Sequence, residues 1–415
     1  MKVYKFGGAS VKDAAGIKNV ANIIKNQHSN DFVIIISAMG KMTNAFEELV
    51  NSYHNKLKDI KDKFDFIKQY HHQILTDLFE NSHVVFSEID SFYQQIDQFF
   101  KLNKNPNYDY IYDQVVSFGE LISTKIISNY LNQNKIENIW LDARHLIQTD
   151  FQYRTANVDW TSTSQKIHNA ISKEKIYLTQ GFIGGATNDT FTTLGREGSD
   201  YSAAIFSFCL NAESMTIWKD VTGVLNADPR HFKDTVLLET ISYREVLEMA
   251  FYGATVIHPK TIKPLENKNI TLNVRSFLHP EAKGTVISKN IALFPESVCY
   301  TYKENQKILS IATKDFSFMI EYNISHIFQL FTEHRIKVNL IQNSAISFSV
   351  CIEDLYEEFE RLKIVLSEHY NIEYHENVKL ISIRHYNDEV IQQFTNNNEI
   401  LLIQQSNDVA QLIIK

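Results

Sequence analysis

Glycine is scarce in this chain: it occurs 13 times in 415 residues, less than half of the roughly 7% found in an average protein. Because glycine is the residue that accepts positive φ or close backbone contact most easily, the few that are present are informative. Gly7 and Gly8 are adjacent, and Gly195 and Gly198 lie three positions apart. No glycine follows Gly284, so we expect one kind of domain to end near residue 290 and another to begin.

Cysteine, surplus positive charge and long apolar runs are also lacking. The three cysteines lie far apart without a CxxC pair, so we expect core residues in a reducing compartment rather than disulfides or a zinc site. The formal net charge of −8 argues against nucleic-acid binding. No apolar run approaches the roughly 18 residues of a membrane span, and no signal-peptide pattern follows Met1. We therefore expect a cytoplasmic protein that binds neither nucleic acid nor membranes.

Strand and helix patterns alternate over the first 290 residues. "KVYKF" at the start and the continuous apolar run "FVIIIS" (32–37) are typical of central parallel strands covered on both faces. Residues 44–118 are mostly helical in periodicity and predict a helical subdomain, and "VVSFGELISTKIISNYL" at its end predicts a turn followed by a further helix. This alternation predicts an α/β domain with a mainly parallel sheet.

The segment after residue 296 has a different order of predicted strands and helices. Over about 305–377 its patterns follow the order strand, helix, strand, strand, helix, strand, which is that of a ferredoxin-like α+β unit. A second unit over about 378–415 is too short for its last helix and strand, unless the strand-like "SVCYTY" (297–302) completes its sheet. The sequence thus predicts a domain at 1–290 and a second region at 297–415.

The turn after the first strand is suited to an anion. Gly7 and Gly8 precede a helix that we expect to begin at Ser10, and backbone N–H groups at a helix N-terminus favour a phosphate. Lys5, two residues earlier, is placed to add an ammonium group. Taken alone this pattern is more often an ordinary strand end, and the chain contains neither GxxxxGK[ST] nor GxGxxG.

A second glycine-containing turn, "LGREGSDYSAA" (194–204), adds charged residues. Ser199 and Asp200 are candidate N-cap residues, an interpretation that requires no ligand. Capping does not explain Arg196, whose guanidinium fits a carboxylate with two parallel hydrogen bonds. Further on, "WKDVTGVLNADPRHF" (218–232) has the layout of a loop covering a nucleotide, although a surface turn gives the same local pattern.

Taken together, ordered motifs over about residues 1–290 resemble the aspartate kinases of the amino-acid kinase family. The motifs are "KFGGASV", "SAMGKMTN", "VSFGEL", "QGFIGG", "LGREGSDYSAA", "WKDVTGV…ADPR" and "YGATVIHPKTI". The resemblance implies the amino-acid kinase fold, a three-layer αβα sandwich, followed by paired ACT-type regulatory units. It also implies transfer of the γ-phosphate of ATP to the β-carboxylate of L-aspartate, giving 4-phospho-L-aspartate, the first step toward lysine, threonine and methionine.

The resemblance further assigns roles to individual residues. Lys5 and Asp200 would be catalytic, the first stabilising the transferred phosphoryl group and the second organising the lysine and metal side of the site. Glu120 would bind the ammonium group of aspartate and Arg196 its α-carboxylate. The substrate-binding set is Thr43, Glu120, Arg196 and Ser199. The nucleotide-binding set is Lys5, Gly7, Gly8, Ser10, Lys219, Asp220, Leu225, Arg230 and Thr255.

The cofactor and partner implied by the resemblance are Mg²⁺ and a second copy of the chain. Mg²⁺ would accompany ATP by bridging its phosphate oxygens, with no metal-ligating side chain assigned. The ACT-like region would form a homodimer.

Several positions depart from the family pattern. Ala9, Lys219, Leu225 and Thr255 stand where threonine, threonine, an aromatic residue and lysine are common. We therefore expect weakened ATP contacts, and we hypothesise that Lys219 supplies the charge that is missing at Thr255. In the regulatory region, "YNI" (322–324), Asn339 and Ala345 replace groups of lysine-inhibited relatives, and the expected result is weak or absent lysine inhibition.

Two other functions fit parts of the sequence. One is a related kinase acting on glutamate, against which "VSFGEL" with "LGREGSD" favours aspartate. The other is a catalytically inactive amino-acid sensor, suggested by the departures in the nucleotide-binding motifs. Joint retention of Lys5, Glu120, Arg196 and Asp200 argues against a sensor, because an inactive site has no physical reason to keep all four.

Overall fold

The structure is a computed structural model that describes residues 1–27, 31–188, 190–254, 257–315 and 317–415. The chain divides into two compact units. The first comprises Met1–Val224, Leu237–Glu245 and Ile257–Phe294, and the second comprises Leu225–Val236, Val246–Val256 and Pro295–Lys415.

The first unit is built on an eight-stranded sheet and a small hairpin. The strands are β1 (Lys2–Phe6), β2 (Phe32–Ile36), β3 (Ile139–Trp140), β4 (Ile176–Gln180), β5 (Ile183–Gly185), β6 (Phe191–Thr193), β7 (Ser214–Lys219), β8 (Thr240–Ser242), β9 (Thr271–Ser276) and β10 (Thr285–Ser288). The sheet order is β3-β4-β2-β1-β7-β9-β10-β8, and β5 pairs with β6. Within the sheet, only the β9–β10 pairing is antiparallel among the described residues.

Both faces of this sheet are covered. All five residues of β2 and of β4 are buried, although successive side chains of a strand point to opposite faces. A strand can be buried in this way only when helices pack on both faces. The predicted α/β class with a mainly parallel sheet is confirmed.

The helices before residue 294 lie between these strands, and residues 42–133 form a helical group. They are α1 (Ala14–Lys25), α2 (Met42–His54), α3 (Ile60–Leu78), α4 (Val85–Leu102), α5 (Tyr108–Gln133), α6 (Ala143–Leu146), α7 (Trp160–Ala170), α8 (Gly198–Cys209), α9 (Tyr243–Tyr252) and α10 (Pro259–Asn267). The apolar faces of α2 to α5 join the main core through residues such as Phe46, Ile67, Ile96 and Val115. None of the helices in the described ranges combines the length and apolar character that crossing a bilayer requires.

Two local expectations were wrong. The turn expected at "VVSFG" is absent, because α5 runs without interruption through Gly119. A β-carbon at Gly119 would lie 3.2 Å from Cβ of Ala38 and 3.3 Å from the Phe46 ring, so this glycine permits close packing instead of a turn. The first helix does not begin at Ser10: Gly8–Val11 form a 3₁₀ turn, and Asp13 caps α1 by accepting from the Gly16 N–H.

The second unit contains a six-stranded antiparallel sheet. Its strands are β11 (Cys299–Thr313), β12 (Lys337–Asn343), β13 (Ser347–Glu353), β14 (Tyr370–Arg384), β15 (Ile400–Gln405) and β16 (Val409–Ile414), in the order β12-β13-β11-β14-β16-β15. Its helices are α11 (Glu321–Glu333), α12 (Phe359–His369) and α13 (Asp388–Asn397). One apolar cluster joins α11 and α12 to the sheet, and another includes residues of α13.

Two long strands join what the sequence suggested as separate strands. β11 includes both "CYTY" and "QKILSIAT", and its pairing with β14 shifts register between Lys303 and Gln306, around Asn305 with φ of +55°. The first half of β11 pairs with the second half of β14, since Cys299 lies opposite Arg384. Two βαβ-containing halves therefore share one continuous sheet.

Candidate active site

A cavity of about 750 Å³ lies in the first unit, where the turns after β1 and β2 meet the start of α8. Carboxyl ends of parallel strands are where α/β folds place ligands. Eight residues that the sequence motifs identify line this cavity: Lys5, Gly8, Thr43, Glu120, Arg196, Ser199, Asp200 and Lys219.

Two ammonium groups surround one buried carboxylate in the cavity. Lys5 Nζ lies 2.7 Å from Oδ1 of Asp200, and Lys219 Nζ lies 3.6 Å from Oδ2. Burial alone would raise the pKa of Asp200, but the charges of Lys5 and then Lys219 outweigh it and hold that pKa below its ordinary value. Two cations on one anion leave a net positive charge, which suits a phosphate.

The first two turns contact each other so closely that Gly8 cannot carry a side chain. A β-carbon there would lie 2.7 Å from the Ala38 carbonyl oxygen and 2.9 Å from that of Gly40. The Gly40 N–H donates to the Gly8 carbonyl at 3.0 Å, and Gly40 has φ of +53°. Gly8 therefore sets the spacing between the two turns, while its predicted approach to a phosphate stays a prediction.

Glu120 extends from α5 to the turn after β2. Its Oε1 accepts from the Ala38 N–H at 3.2 Å, while Oε2 is buried and has no hydrogen-bond partner among the described residues. Burial raises the pKa of Glu120 to about 8, and the Ala38 hydrogen bond offsets this only in part. A buried carboxylate oxygen without a partner is costly, so this position is suited to a ligand that brings a positive charge.

The "LGREGSD" turn leads into α8 differently from the prediction. Glu197, with φ of +52°, is the N-cap residue, and its Oε2 accepts from the His258 N–H at 2.9 Å. Ser199 and Asp200 lie in the first turn of the helix, so the N-cap interpretation of these two was wrong. Arg196 is exposed in the cavity wall and forms no ion pair with any described residue, which leaves its guanidinium available for an anion.

The remaining nucleotide-binding candidates are not among the cavity-lining residues. Gly7 is adjacent to the site, since a β-carbon there would be 3.4 Å from Lys5 Nζ. Ser10 is buried in the 3₁₀ turn and Asp220 is exposed. Leu225 and Arg230 belong to the second unit, where Arg230 pairs with Asp228. Thr255 lies outside the described residues, so the roles of all these positions stay predictions.

Several other lining residues have no counterpart in the motif analysis. Arg154 and Glu47 form an ion pair, with Nη2 2.9 Å from Oε1. The Arg154 guanidinium lies over the Tyr112 ring, 4.1 Å from its centroid. The full set is Glu47, Tyr112, Arg154 and Thr155. Arg154 has a positive φ of 66°. Nothing in the local sequence indicates this, because arginine rarely adopts that conformation.

The side chains around Asp200 suit a metal ion that binds together with a nucleotide. In the described ranges no group of three or more His, Cys, Asp or Glu side chains is arranged to hold an ion. Mg²⁺ commonly binds through one or two carboxylates plus substrate phosphates and waters. Asp200 is such a carboxylate, whereas a site made of protein ligands alone has no candidate here.

Comparisons with known proteins agree with the geometry. Residues 1–276 match the amino acid kinase family. Lysine-sensitive aspartokinase 3 of Escherichia coli K12 is 28% identical over 85% of this chain and 78% of its own length. The chloroplastic bifunctional aspartokinase/homoserine dehydrogenase 2 of Arabidopsis thaliana is 30% identical over 75% of this chain. The chain spans about a third of the length of the bifunctional plant relatives, 34% and 32% for the two from Arabidopsis.

Solved structures show the same likeness over the whole chain. The crystal structure of E. coli aspartokinase III in complex with aspartate and ADP aligns with a TM-score of 0.80 and 25% identity, covering 100% of this chain and 96% of that one. Aspartate kinase from Clostridium acetobutylicum aligns with a TM-score of 0.84 at 24% identity, covering 100% and 96%, which shows the shared fold. The predicted resemblance to aspartate kinases and the predicted fold class are confirmed.

Proposed function

The chain belongs to the amino acid kinase family, and we propose that it transfers the γ-phosphoryl group of ATP to the β-carboxylate of L-aspartate. The main support is that one cavity contains both halves of the required chemistry. Lys5, Lys219 and Asp200 form a positively charged group suited to a phosphoryl group, while Glu120 and Arg196 match the ammonium and α-carboxylate of an amino acid.

On the substrate side, Glu120 and Arg196 would orient aspartate. The unpartnered Oε2 of Glu120 accepts from the substrate ammonium, and Arg196 binds the α-carboxylate with its fork of donors. Thr43 and Ser199 line the same cavity and offer hydroxyl donors. With both α-substituents held, the β-carboxylate is the remaining nucleophile, and its pKa of about 4 keeps it ionised at neutral pH.

On the phosphoryl side, the reaction requires alignment and charge cancellation rather than proton transfer. A β-carboxylate oxygen bonds to Pγ while the bond from Pγ to the β,γ-bridging oxygen breaks, and its electron pair leaves with ADP. Lys5 stabilises the charge on the transferred group, and Asp200 fixes the ammonium of Lys5 at 2.7 Å. Mg²⁺, bound with ATP beside Asp200, would neutralise further phosphate charge.

The remaining roles and boundaries form part of the same proposal. Residues 1–290 would be the catalytic domain, with the helical subdomain at 44–118, and 297–415 the ACT-like regulatory region through which a homodimer forms. Gly7, Gly8 and Ser10 would hold ATP phosphates, and Asp220, Leu225, Arg230 and Thr255 would belong to the nucleotide loop. The product would enter synthesis of lysine, threonine and methionine, in the cytoplasm.

A hydroxamate assay tests the proposal against its alternatives. The chain is incubated with MgATP and hydroxylamine, and with L-aspartate, L-glutamate or no amino acid. Hydroxamate that forms with aspartate at least about tenfold faster than with glutamate supports the proposal, since one methylene is worth about 1–3 kcal/mol in a fitted pocket. Faster reaction with glutamate indicates the related kinase, and no hydroxamate with binding of aspartate indicates a sensor.

Lys219 is expected to contribute to ATP binding. Its ammonium lies beside Asp200 at 3.6 Å and adds positive charge to the phosphoryl side of the cavity. Lys219→Ala should raise the KM for ATP about tenfold, as expected for one charge-assisted contact, and leave the KM for aspartate nearly unchanged. Lys283→Ala, at a side chain that is 83% exposed, is the control. An unchanged KM for ATP would contradict both this role and the compensation hypothesis for Thr255.

Lysine is expected to inhibit weakly or not at all. Both ends of the Asn339 amide are already bonded within the chain: its oxygen accepts from Lys303 Nζ at 2.9 Å, and its nitrogen donates to Gln306 Oε1 at 2.7 Å. A neutral amide in this arrangement offers no negative charge to an added lysine ammonium. Isothermal titration with L-lysine should give no heat at micromolar concentrations, and a micromolar Kd would contradict the prediction.

A further inference from the structure

The most informative group outside the proposed machinery is the ion pair of Arg154 and Glu47. Both side chains line the cavity, and both are partly exposed, at 37% and 34%. An exposed pair of this kind adds little stability. Its place inside a substrate cavity therefore needs another explanation.

Arg154 is held in place by its backbone. Its N–H donates to Oδ2 of the buried Asp113 at 3.0 Å, and the same oxygen accepts from the Thr193 N–H at 2.9 Å. The Thr193 hydroxyl bonds Oδ1 of Asp113 at 2.8 Å. These bonds keep Arg154 at φ of +66°, a conformation that is unfavourable for a residue other than glycine.

The same contacts bring Arg154 next to the segment that contains Arg196. The Ala156 N–H donates to the Thr193 carbonyl at 2.9 Å. A β-carbon at Gly195 would lie 3.2 Å from the Arg154 carbonyl oxygen, so the two backbone segments touch at the residue before Arg196. One buried carboxylate, Asp113, thus fixes two arginine-bearing segments on the same cavity.

Stacking fixes the orientation of the Arg154 guanidinium, whereas the carboxylate of Glu47 that pairs with it can be exchanged for another carboxylate. Stacking on Tyr112, 4.1 Å from the ring centroid, sets the plane of the guanidinium. Two carboxylates lie beside it: Oε1 of the partly exposed Glu47 is 2.9 Å from Nη2, and Oδ1 of the more exposed Asp109 is 3.9 Å from Nη1. A substrate carboxylate has the same charge and geometry as the carboxylate of Glu47, and the stacking contact does not depend on which of the two is bound.

We infer that Arg154 is a second carboxylate-binding residue of the substrate site, and that Glu47 occupies its guanidinium until the α-carboxylate of the amino acid replaces it. This inference rests on the proposed function. Arg154 and Arg196 would then hold the α-carboxylate together, and Glu47 would compete with the substrate for Arg154.

Competition predicts opposite effects for the two partners of one ion pair. Arg154→Ala should raise the KM for aspartate about tenfold or more, the loss expected for a charge-assisted bond, and leave the KM for ATP within about twofold. Glu47→Gln should lower the KM for aspartate about threefold, because it removes the competitor. The double variant should behave like Arg154→Ala alone, since Glu47 competes only through Arg154.

Glu48→Gln is the matched control, because Glu48 lies on the same helix and pairs with Lys63 at 2.7 Å outside this cavity; its KM values should equal those of the unmodified chain. Isothermal titration of aspartate in the presence of MgADP gives a readout that does not depend on turnover. If the unmodified chain binds no aspartate, the proposed function and this inference both fail. If it binds aspartate and Arg154→Ala binds it equally well, or Glu47→Gln weakens binding as Arg154→Ala does, this inference alone is overturned.

Discussion

Lys5→Met should lower kcat about a thousandfold while the KM for aspartate changes less than about threefold, a loss in the range found when one preorganised electrostatic group is removed. Lys5 is buried and its ammonium lies 2.7 Å from Asp200, so it cannot be replaced by solvent cations without rearrangement. Methionine keeps the length and apolar stem of lysine, which limits the loss to the charge. Steady-state kinetics with MgATP and aspartate measures the effect.

The control for Lys5→Met lies on the same strand. Lys2 is partly exposed and its ammonium is 3.9 Å from Glu213, so Lys2→Met should keep kcat near that of the unmodified chain. In Lys5→Met, the buried carboxyl of Asp200 retains Lys219 but loses its closer cation, and its pKa should rise. A kcat within about tenfold of the unmodified chain would show that Lys5 does not stabilise the transferred group.

Glu120→Gln should abolish measurable aspartate binding and stabilise the ligand-free protein at alkaline pH. The substituted amide keeps an oxygen for the Ala38 N–H, which bonds Glu120 at 3.2 Å, but it provides no charge for a substrate ammonium. Binding of aspartate should weaken at least a hundredfold, the order expected when a buried charge pair loses one partner. Isothermal titration measures the loss, with Glu213→Gln, at an exposed side chain, as the control.

The stability effect follows from the sign of the pKa shift. The pKa of Glu120 rises from its ordinary 4.5 to about 8 in the folded chain, so between these values the folded state binds more protons than the unfolded state. The free energy of unfolding therefore falls as pH rises through this window, by at most about 1.4 kcal/mol per pH unit. Glu120→Gln removes that loss, so its melting temperature should exceed that of the unmodified chain increasingly from pH 5 to pH 8.

The same titration should appear in the kinetics of the unmodified chain. Aspartate requires ionised Glu120, so its KM should fall as pH rises toward 8. If the Glu120→Gln variant binds aspartate with an affinity within threefold of that of the unmodified chain, Glu120 does not bind the substrate ammonium. A melting-temperature difference that does not change between pH 5 and pH 8 would show that folding does not raise the pKa of Glu120.

The sequence predicted those features that depend on local pattern. The continuous apolar run at 32–37 indicated a strand buried on both faces, and β2 is one. The motifs around Lys5, Glu120 and Arg196 led to residues that meet in one cavity although they are distant in the chain. Lys5 and Arg196 could be found because they stand in or beside glycine turns at strand ends, whereas Glu120, inside α5, was assigned only by the resemblance to aspartate kinases.

Features set by tertiary contacts were not predictable in this way. Gly119 suggested a turn, but its packing against Ala38 and Phe46 keeps α5 continuous. The sequence analysis treated 297–302 as a strand separate from the unit that begins at about 305, whereas β11 runs through both and accommodates the junction with a register shift. Arg154 has no motif, and its place in the cavity depends on the long-range hydrogen bond from its N–H to Asp113.

The central claim is that the β-carboxylate of aspartate is the nucleophile that attacks Pγ of ATP. The most direct test uses L-aspartate labelled with ¹⁸O in its β-carboxylate, with MgATP and hydroxylamine, and mass spectrometry of the phosphate released. Hydroxylamine attacks the acyl carbon of the mixed anhydride, so the phosphate should retain one ¹⁸O from the carboxylate in each turnover. Phosphate without label would mean that another oxygen attacks Pγ and would contradict the proposed reaction.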